Sequence, residues 1–441
     1  MEKLKENFSN IIIFLFLILG FFSFIYGISQ IKVDYNWSIK IIVFSTVFLI
    51  FFFLIFILPK KIKDFFITIL TTIYLAFLFV NFYLQYSIPS HKVDLTKIAQ
   101  EQNIEIDTRT KIQVIGDMRK NNKNVFSSVH AGLFQTDIPN DVIIKNNLYP
   151  LAGISNVKTV MCNESGFFSI YQSDRFGFNN DDLIYEKKIN NIMLIGDSMI
   201  HGQCVNEGDD IAGYLRKKGF NAFSFGISSN GPITELATIR EYAKYVGPKI
   251  ILWFFHPNDF YDIKREITMP ILKNYLDSNF SQNLINKQKD IDNFIKTILE
   301  RRTIRNKINK KETKKLLFFL KFMGSQATLN NLRYYFNISS VSNDYETFKK
   351  ILSLAKREAD DIDAEIYFIY LPDMRELKIS KKDEKIFNIL DELGIESFNF
   401  KKYLKNTNDP LKYFPWRRMI HFNKDGYDLI GNALIEKFLV K

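Results

Sequence analysis

The spacing of hydrophobic positions changes twice along this chain. Up to about residue 88 they form three nearly continuous runs, 11–28, 41–58 and 65–84, and none of the three contains a charged residue. A bilayer core needs roughly 20 apolar residues in a helix to cross it, so each run reads as a transmembrane helix and residues 1–88 as a membrane anchor. Lys3 and Lys5 precede the first run as they would in a secretory signal, yet no small-residue cleavage site follows, which predicts a retained anchor. Residues 89–185 show short mixed patterns and turn signals such as SGFFSIYQSDRFGFNND without a dominant period. They read as a linking segment packed against the domain that follows.

From Asn190 the texture becomes an alternation of short apolar runs with helical patterns, the signature of parallel βαβ units. Strands are expected at 191–196, 221–226, 249–255, 365–371 and 395–400, and helices at about 208–218, 232–245, 345–360, 380–393 and 424–439. Nearly continuous apolar strands suit a sheet covered on both faces. The expected class is therefore α/β with about five parallel strands in a domain spanning 186–441. Residues 262–344 break the rhythm with a helical, basic stretch ending in LLFFLKFMGSQATLNNLRYYF, and read as an insertion.

Composition sharpens the first reading. Despite 43 phenylalanines the mean hydropathy is −0.07, because apolar residues crowd into the first ninety positions. Lysines decide the orientation, since short cytoplasmic loops carry the excess of Lys and Arg. The second connection, PKKIKD, holds Lys60, Lys61 and Lys63, whereas QIKVDYNW balances one Lys with one Asp. The N-terminus is then inside, and three crossings deliver the rest of the chain to the outer side of a cytoplasmic membrane. The formal charge of +11 is spread widely, with one concentration around ERRTIRNKINKKETKK, 300–315. Such a run serves as a solvated helix face or meets anionic lipid head groups and acidic envelope glycans; nucleic acid is not expected outside the cell. The two cysteines, Cys162 and Cys204, lie in the outward part, where a disulfide could form; two free thiols are the alternative. No CxxC or Cys/His spacing suggests zinc.

The candidate chemistry begins at NIMLIGDSMIHG, where a strand ends and Ser198 follows within two residues. Ligands bind beyond the carboxyl ends of strands in an open parallel sheet. The second strand brings Gly226 to that edge, the third brings Asn258 in FFHPNDF, and His421 precedes the last helix in RRMIHFNKDGYDLIG. A free hydroxyl is a poor nucleophile, so Ser198 would attack an ester carbonyl only with His421 as general base. The Ser198 and Gly226 N–H groups and the Asn258 amide would stabilise the oxyanion. His91, His130, His201 and His256 receive no catalytic role, with His201 expected at the turn or rim. Asp197 and Asp259 are expected to hold turns, and Trp253 and Trp416 to fill the core.

These blocks resemble the SGNH, or GDSL-type, hydrolase superfamily. The resemblance covers about residues 186–262 and 345–441: Gly196, Asp197, Ser198 and Gly202 match its first block, Gly226 its second, and Asn258 with Asp259 its third. Two departures stand out. His256 replaces a customary Gly, and of the final DxxH only His421 remains, with Arg418 at the acid position. The resemblance implies a three-layer, flavodoxin-like fold and acyl chemistry without a metal or cofactor. Without that acid, His421 would work in a dyad or with an acceptor from elsewhere: Asp409 on the same loop, or a backbone carbonyl. Asp425 would instead serve the last helix N-terminus.

The leading expectation is a membrane-anchored, outward-facing serine esterase or O-acyltransferase acting on a cell-envelope or surface glycan. Its partners would be a glycan or small acyl ester and membrane lipid. Acyl transfer would also require a membrane acyl-donor partner, because three spans are too few to carry a donor across the bilayer. The alternative is a glycan-binding or assembly scaffold that kept the fold and lost turnover.

Overall fold

A computed structural model of the chain describes residues 2–29, 35–87, 95–136, 143, 147–187, 189–308, 344–372 and 381–440. The described chain divides into two compact units, one formed by the N-terminal helices and one by the rest.

The first unit holds helices Glu2–Ser29, Tyr35–Ile57 and Lys60–Ser87, which meet through Ile13, Phe52, Ile55 and Ile67. Two stretches, Asn7–Ile25 and Lys60–Leu84, are long and apolar enough to cross a membrane. The third expected span is shorter, with its apolar part limited to Ile41–Ile57. Lys40 bounds it on one side, and Leu58 leaves the helix because Pro59 disfavours helical geometry in the residue before it. At 1.5 Å per residue that stretch is about 26 Å long. Only 12% and 11% of the two longer stretches is buried. Side chains such as Phe22 and Phe79 face outward, which is consistent with membrane association.

The second unit opens with a small sheet in which β1 (Val125–Ser127) runs parallel to β2 (Lys158–Val160), and β2 antiparallel to β3 (Ile170–Gln172). Its main sheet contains β4 (Asn191–Gly196), β5 (Asn221–Gly226), β6 (Ile250–Phe255), β7 (Glu365–Tyr370) and β8 (Glu396–Asn399), all parallel in the order β5-β4-β6-β7-β8. The expected strands are thus recovered to within a residue or two, and the order is compatible with a flavodoxin-like fold.

Successive strand residues point to opposite faces, and both faces are apolar. Met193, Ile195, Phe225 and Trp253 pack with helices Pro232–Val246 and Tyr345–Asp360 on one side. Ile192, Leu194, Leu252 and Ile369 pack with Ile211–Lys217 and Lys424–Leu434 on the other. The crossover from β4 to β5 uses the second face and that from β5 to β6 the first. The connections therefore diverge at the carboxyl end of β4, where an open sheet leaves a crevice.

Two segments are more integral than their sequence pattern suggests. Residues 95–187 supply β1–β3 and the core residues Tyr149 and Phe178. The described part of the expected insertion contributes Ile263, Leu272, Tyr275, Leu284, Ile291 and Ile295 to the main core. Residues 309–343, with the LLFFLKFM stretch, lie outside the described residues, as does His91. Glu241, buried on helix Pro232–Val246, fastens this part down. It accepts hydrogen bonds from Tyr275 Oη (2.6 Å), Ser281 Oγ (2.8 Å) and the backbone N–H groups of Gln282 (2.6 Å) and Leu284 (2.7 Å). A buried donor left unsatisfied costs about 1–3 kcal/mol. Glu241→Ala orphans two backbone donors and should cost about 3 kcal/mol or more, read as a lower urea midpoint by near-ultraviolet circular dichroism; an unchanged midpoint would refute the role.

Candidate active site

Ser198 sits on a tight turn directly after β4. The Asp197 carboxylate accepts the Met199 N–H (3.1 Å), and the Asp197 and Ser198 carbonyls accept the N–H groups of His201 (3.0 Å) and Gln203 (3.1 Å). Only glycine fits at position 196, where a Cβ would lie 2.7 Å from Ile200 Cγ1 and 3.2 Å from the Phe254 carbonyl. The turn aims Ser198 Oγ at His421 Nε2, 3.0 Å away, with Asp197 Oδ2 a more distant acceptor at 3.3 Å.

His421 arrives from the far end of the chain, on the loop ahead of helix Lys424–Leu434. Asn423 begins that helix, its side chain accepting the Gly426 N–H (3.0 Å) and its own N–H bonding the Tyr413 carbonyl (2.9 Å). The loop is thereby fixed on both sides of the imidazole. On the face away from Ser198, His421 Nδ1 lies 2.9 Å from both carboxylate oxygens of Glu164. A carboxylate can only accept, so Nδ1 carries the proton and Nε2 presents its lone pair to the serine hydroxyl. This is the tautomer that base catalysis requires.

Glu164 corrects the sequence expectation about the orienting group. Asp409 is turned away to Arg417, with contacts of 2.6 and 2.8 Å that hold its carboxyl below the usual range. Arg418 is exposed, and Asp425 stands in the first turn of the last helix as expected. Glu164 lies 257 positions before His421 in a stretch with no periodic pattern. The one available signal was its place two residues after Cys162.

That cysteine matters because Cys162 and Cys204 are joined in a disulfide across 42 positions, which ties the Glu164 loop to the end of the Ser198 turn. Ser165 Oγ donates to the Cys204 carbonyl (3.1 Å), Trp416 Nε1 to the Glu164 carbonyl (2.6 Å), and the Asp107 N–H to the Gly166 carbonyl (2.7 Å). Trp416, expected in the core, is instead half-buried and clamps this loop. Glu164, Cys204 and His421 bring potential ligand atoms within 4.8 Å of one another. They do not fit a metal, because the sulfur is bonded in the disulfide and Nδ1 is committed to the carboxylate.

Asn258 flanks the serine on the third side. His256 Nδ1 donates to its Oδ1, while its Nδ2 donates to Asp262 Oδ2 (2.9 Å) and weakly toward Asp197 Oδ2 (3.5 Å). The amide is therefore oriented, with its longest bond the one a ligand can replace. Burial pushes the Asp262 carboxyl up to about 8.

Gly226 is not among the residues lining the cavity over Ser198. Its α-carbon abuts the next turn, and a Cβ would meet the His201 backbone nitrogen at 2.5 Å. Ser228 and Ser229 line the cavity in its place, and Ser229 adopts a left-handed φ of 64°. The Ser228 and Asn230 N–H groups bond His201 Nδ1 (3.2 Å) and the Ile227 carbonyl (3.0 Å). Among the described residues, no protein acceptor engages the N–H of Ser229 or Ser198.

His201 is fully buried rather than at the rim. Burial, with Lys111 and His421 nearby, pushes its imidazole down to about 3, so it stays neutral. The Ser228 N–H makes Nδ1 an acceptor, and Nε2 donates to Tyr171 Oη (3.0 Å). His201 holds the turn and presents no base to the cavity. That cavity is about 400 Å³, within the ligand-sized range, and His130, His256, Met161 and Ile420 complete its wall.

No protein-family model and no curated protein matches this chain.

Glu164→Gln should lower kcat for a small acetyl ester about 10²–10⁴-fold, as when a triad carboxylate becomes an amide, whereas Asp409→Asn should not. Comparable losses in both variants would break the assignment. Cys162→Ser should lower kcat as well, with labelling of Ser198 by a phosphonate probe slowed rather than abolished.

Proposed function

We propose that this chain is a membrane-anchored serine esterase or O-acyltransferase of the SGNH type, acting on ester groups of a cell-envelope or surface glycan. The observation that carries the proposal is the hydrogen-bonded series Ser198 Oγ, His421 Nε2, His421 Nδ1, Glu164, with separations of 3.0 and 2.9 Å. His421 takes the hydroxyl proton as Ser198 attacks the ester carbonyl, and Glu164 stabilises the imidazolium that results. The Asn258 amide and the N–H groups of Ser198 and Ser229 are the donors available to the oxyanion, in place of the Gly226 N–H first expected. Collapse of the intermediate passes the proton from His421 to the leaving alcohol and leaves an acyl-serine. Water then completes hydrolysis, or a sugar hydroxyl completes transfer, each activated by His421.

The helices Asn7–Ile25 and Lys60–Leu84 support membrane attachment. Our fuller proposal adds Tyr35–Ile57 as a third crossing, with the N-terminus inside and the α/β unit outside. The Cys162–Cys204 disulfide supports that side, since disulfides persist in oxidising compartments. Transfer, unlike hydrolysis, would need a separate membrane protein as acyl donor. Arg418 at the acid position favours the scaffold alternative, and a carboxylate at His421 from another part of the chain weakens it.

A fluorophosphonate probe should label the full chain but not Ser198→Ala; equal labelling would sink the nucleophile assignment. Asn258→Ala should fold normally and lose about a hundredfold or more in kcat, the scale of one oxyanion donor. Reporter fusions at residues 62 and 100 should report opposite sides of the membrane. A cytoplasmic residue 100 would remove the envelope-glycan reading.

A further inference from the structure

A second cavity, about 760 Å³, adjoins the catalytic one and shares Lys111, Ser128 and His130 with it. Its walls are two helices together with β1 and the residues after it. On Lys111–Met118 the i, i+4, i+8 spacing puts Lys111, Ile115 and Arg119 on one face, and Gln288–Ile308 contributes Lys296, Glu300 and Arg302. Among the described residues lining the groove, four cations thus stand with one carboxylate, Glu300.

The cations are crowded at a cost. Burial, with Arg302 nearby, pushes the Lys111 ammonium down to about 8. Arg119 and Lys296 both gather on the Phe126 ring, at 4.9 and 5.9 Å from its centre, and Arg119 Nε donates to the Val125 carbonyl (2.8 Å). Like charges held together in a partly desolvated groove are relieved by an anion.

Resting on the ester reading above, we propose that this groove binds the anionic groups of an acidic glycan, so that the acylated sugar at Ser198 and the charged sugars beside it belong to one chain. Continuity with the catalytic cavity favours a polymer over a lipid head group, because a polymer can fill the groove and reach the serine at once. Esterification at Ser198 would then be selected by the charge of neighbouring sugars as well as by the ester itself.

The test is a calorimetric titration of the full chain in neutral detergent, which needs no turnover and so stands even if Ser198 proves not to be a nucleophile. A hexameric oligogalacturonate should bind with an affinity that falls as salt rises, and a neutral oligosaccharide of equal length should bind more weakly. Arg119→Gln/Lys296→Gln should weaken the acidic ligand by at least about tenfold, the loss of two charge-assisted contacts. Lys349→Gln/Lys356→Gln, the same change in net charge on a distant helix, should leave its affinity as it was. Equal weakening by both pairs would mean diffuse attraction and overturn the proposal. So would a groove variant that binds the hexamer normally. If inorganic phosphate binds as tightly as the hexamer and is lost in the same variant, the groove is a phosphate site and the glycan assignment fails.

Discussion

The His421–Glu164 contact is the constraint on which the candidate site rests. Histidine can hold either tautomer, and only a fixed acceptor at Nδ1 leaves Nε2 free to take a proton from Ser198. That requirement reaches far into the molecule. The carboxylate stands on a short loop whose backbone is held by the Cys162–Cys204 disulfide, the Trp416 indole and the Asp107 N–H. The imidazole stands on a loop held by the cap of the last helix. Neither loop owes its position to the sheet alone.

The sheet supplies the serine. Its diverging connections open a crevice at the end of β4, and Gly196 lets the turn fold back on Ile200 without a clash. Around Asn258 the same packing gathers buried acids. Glu235 and Asp259 are pushed well above the usual carboxylate range, both first by burial, then Glu235 by Asp197 and Glu266, and Asp259 by Glu235 and Asp197. Glu266, which caps helix Pro232–Val246 through the Gly231, Ile233 and Thr234 N–H groups, is raised to about 7. Carboxyls biased toward their neutral forms add little negative potential where an oxyanion would develop, and one of them, Asp262, also holds the Asn258 amide.

Much of the fold was legible because the main strands are apolar runs with clear ends: β4 and β5 both finish in glycine, and their helices carry regular apolar faces. Strands β1 to β3 have three residues each, too few to establish an alternation. Ser198, Asn258 and His421 were readable because strand ends or a helix start place them. Gly226 was misjudged by a local rule, since a strand-ending glycine can face the protein rather than the ligand. Glu164 was invisible for a deeper reason. An acid that orients a histidine needs only to arrive at the right point in space, and no spacing along the chain records that arrival. Asp409 looked suitable by distance in sequence, but nothing there showed that Arg417 would claim it.

The disulfide has a consequence for how competence is assembled. The covalent ring it closes encloses Glu164 and Ser198 but not His421, which lies more than two hundred positions beyond Cys204. The acid and the hydroxyl thus belong to one covalent ring, while the imidazole that bridges them comes from outside it, on the loop before a helix that covers one face of the sheet. On the proposed reading, the serine would lack its base until the C-terminal helix docks. Closing the ring and completing the site would then be separable events, ordered by where three side chains lie along one polypeptide.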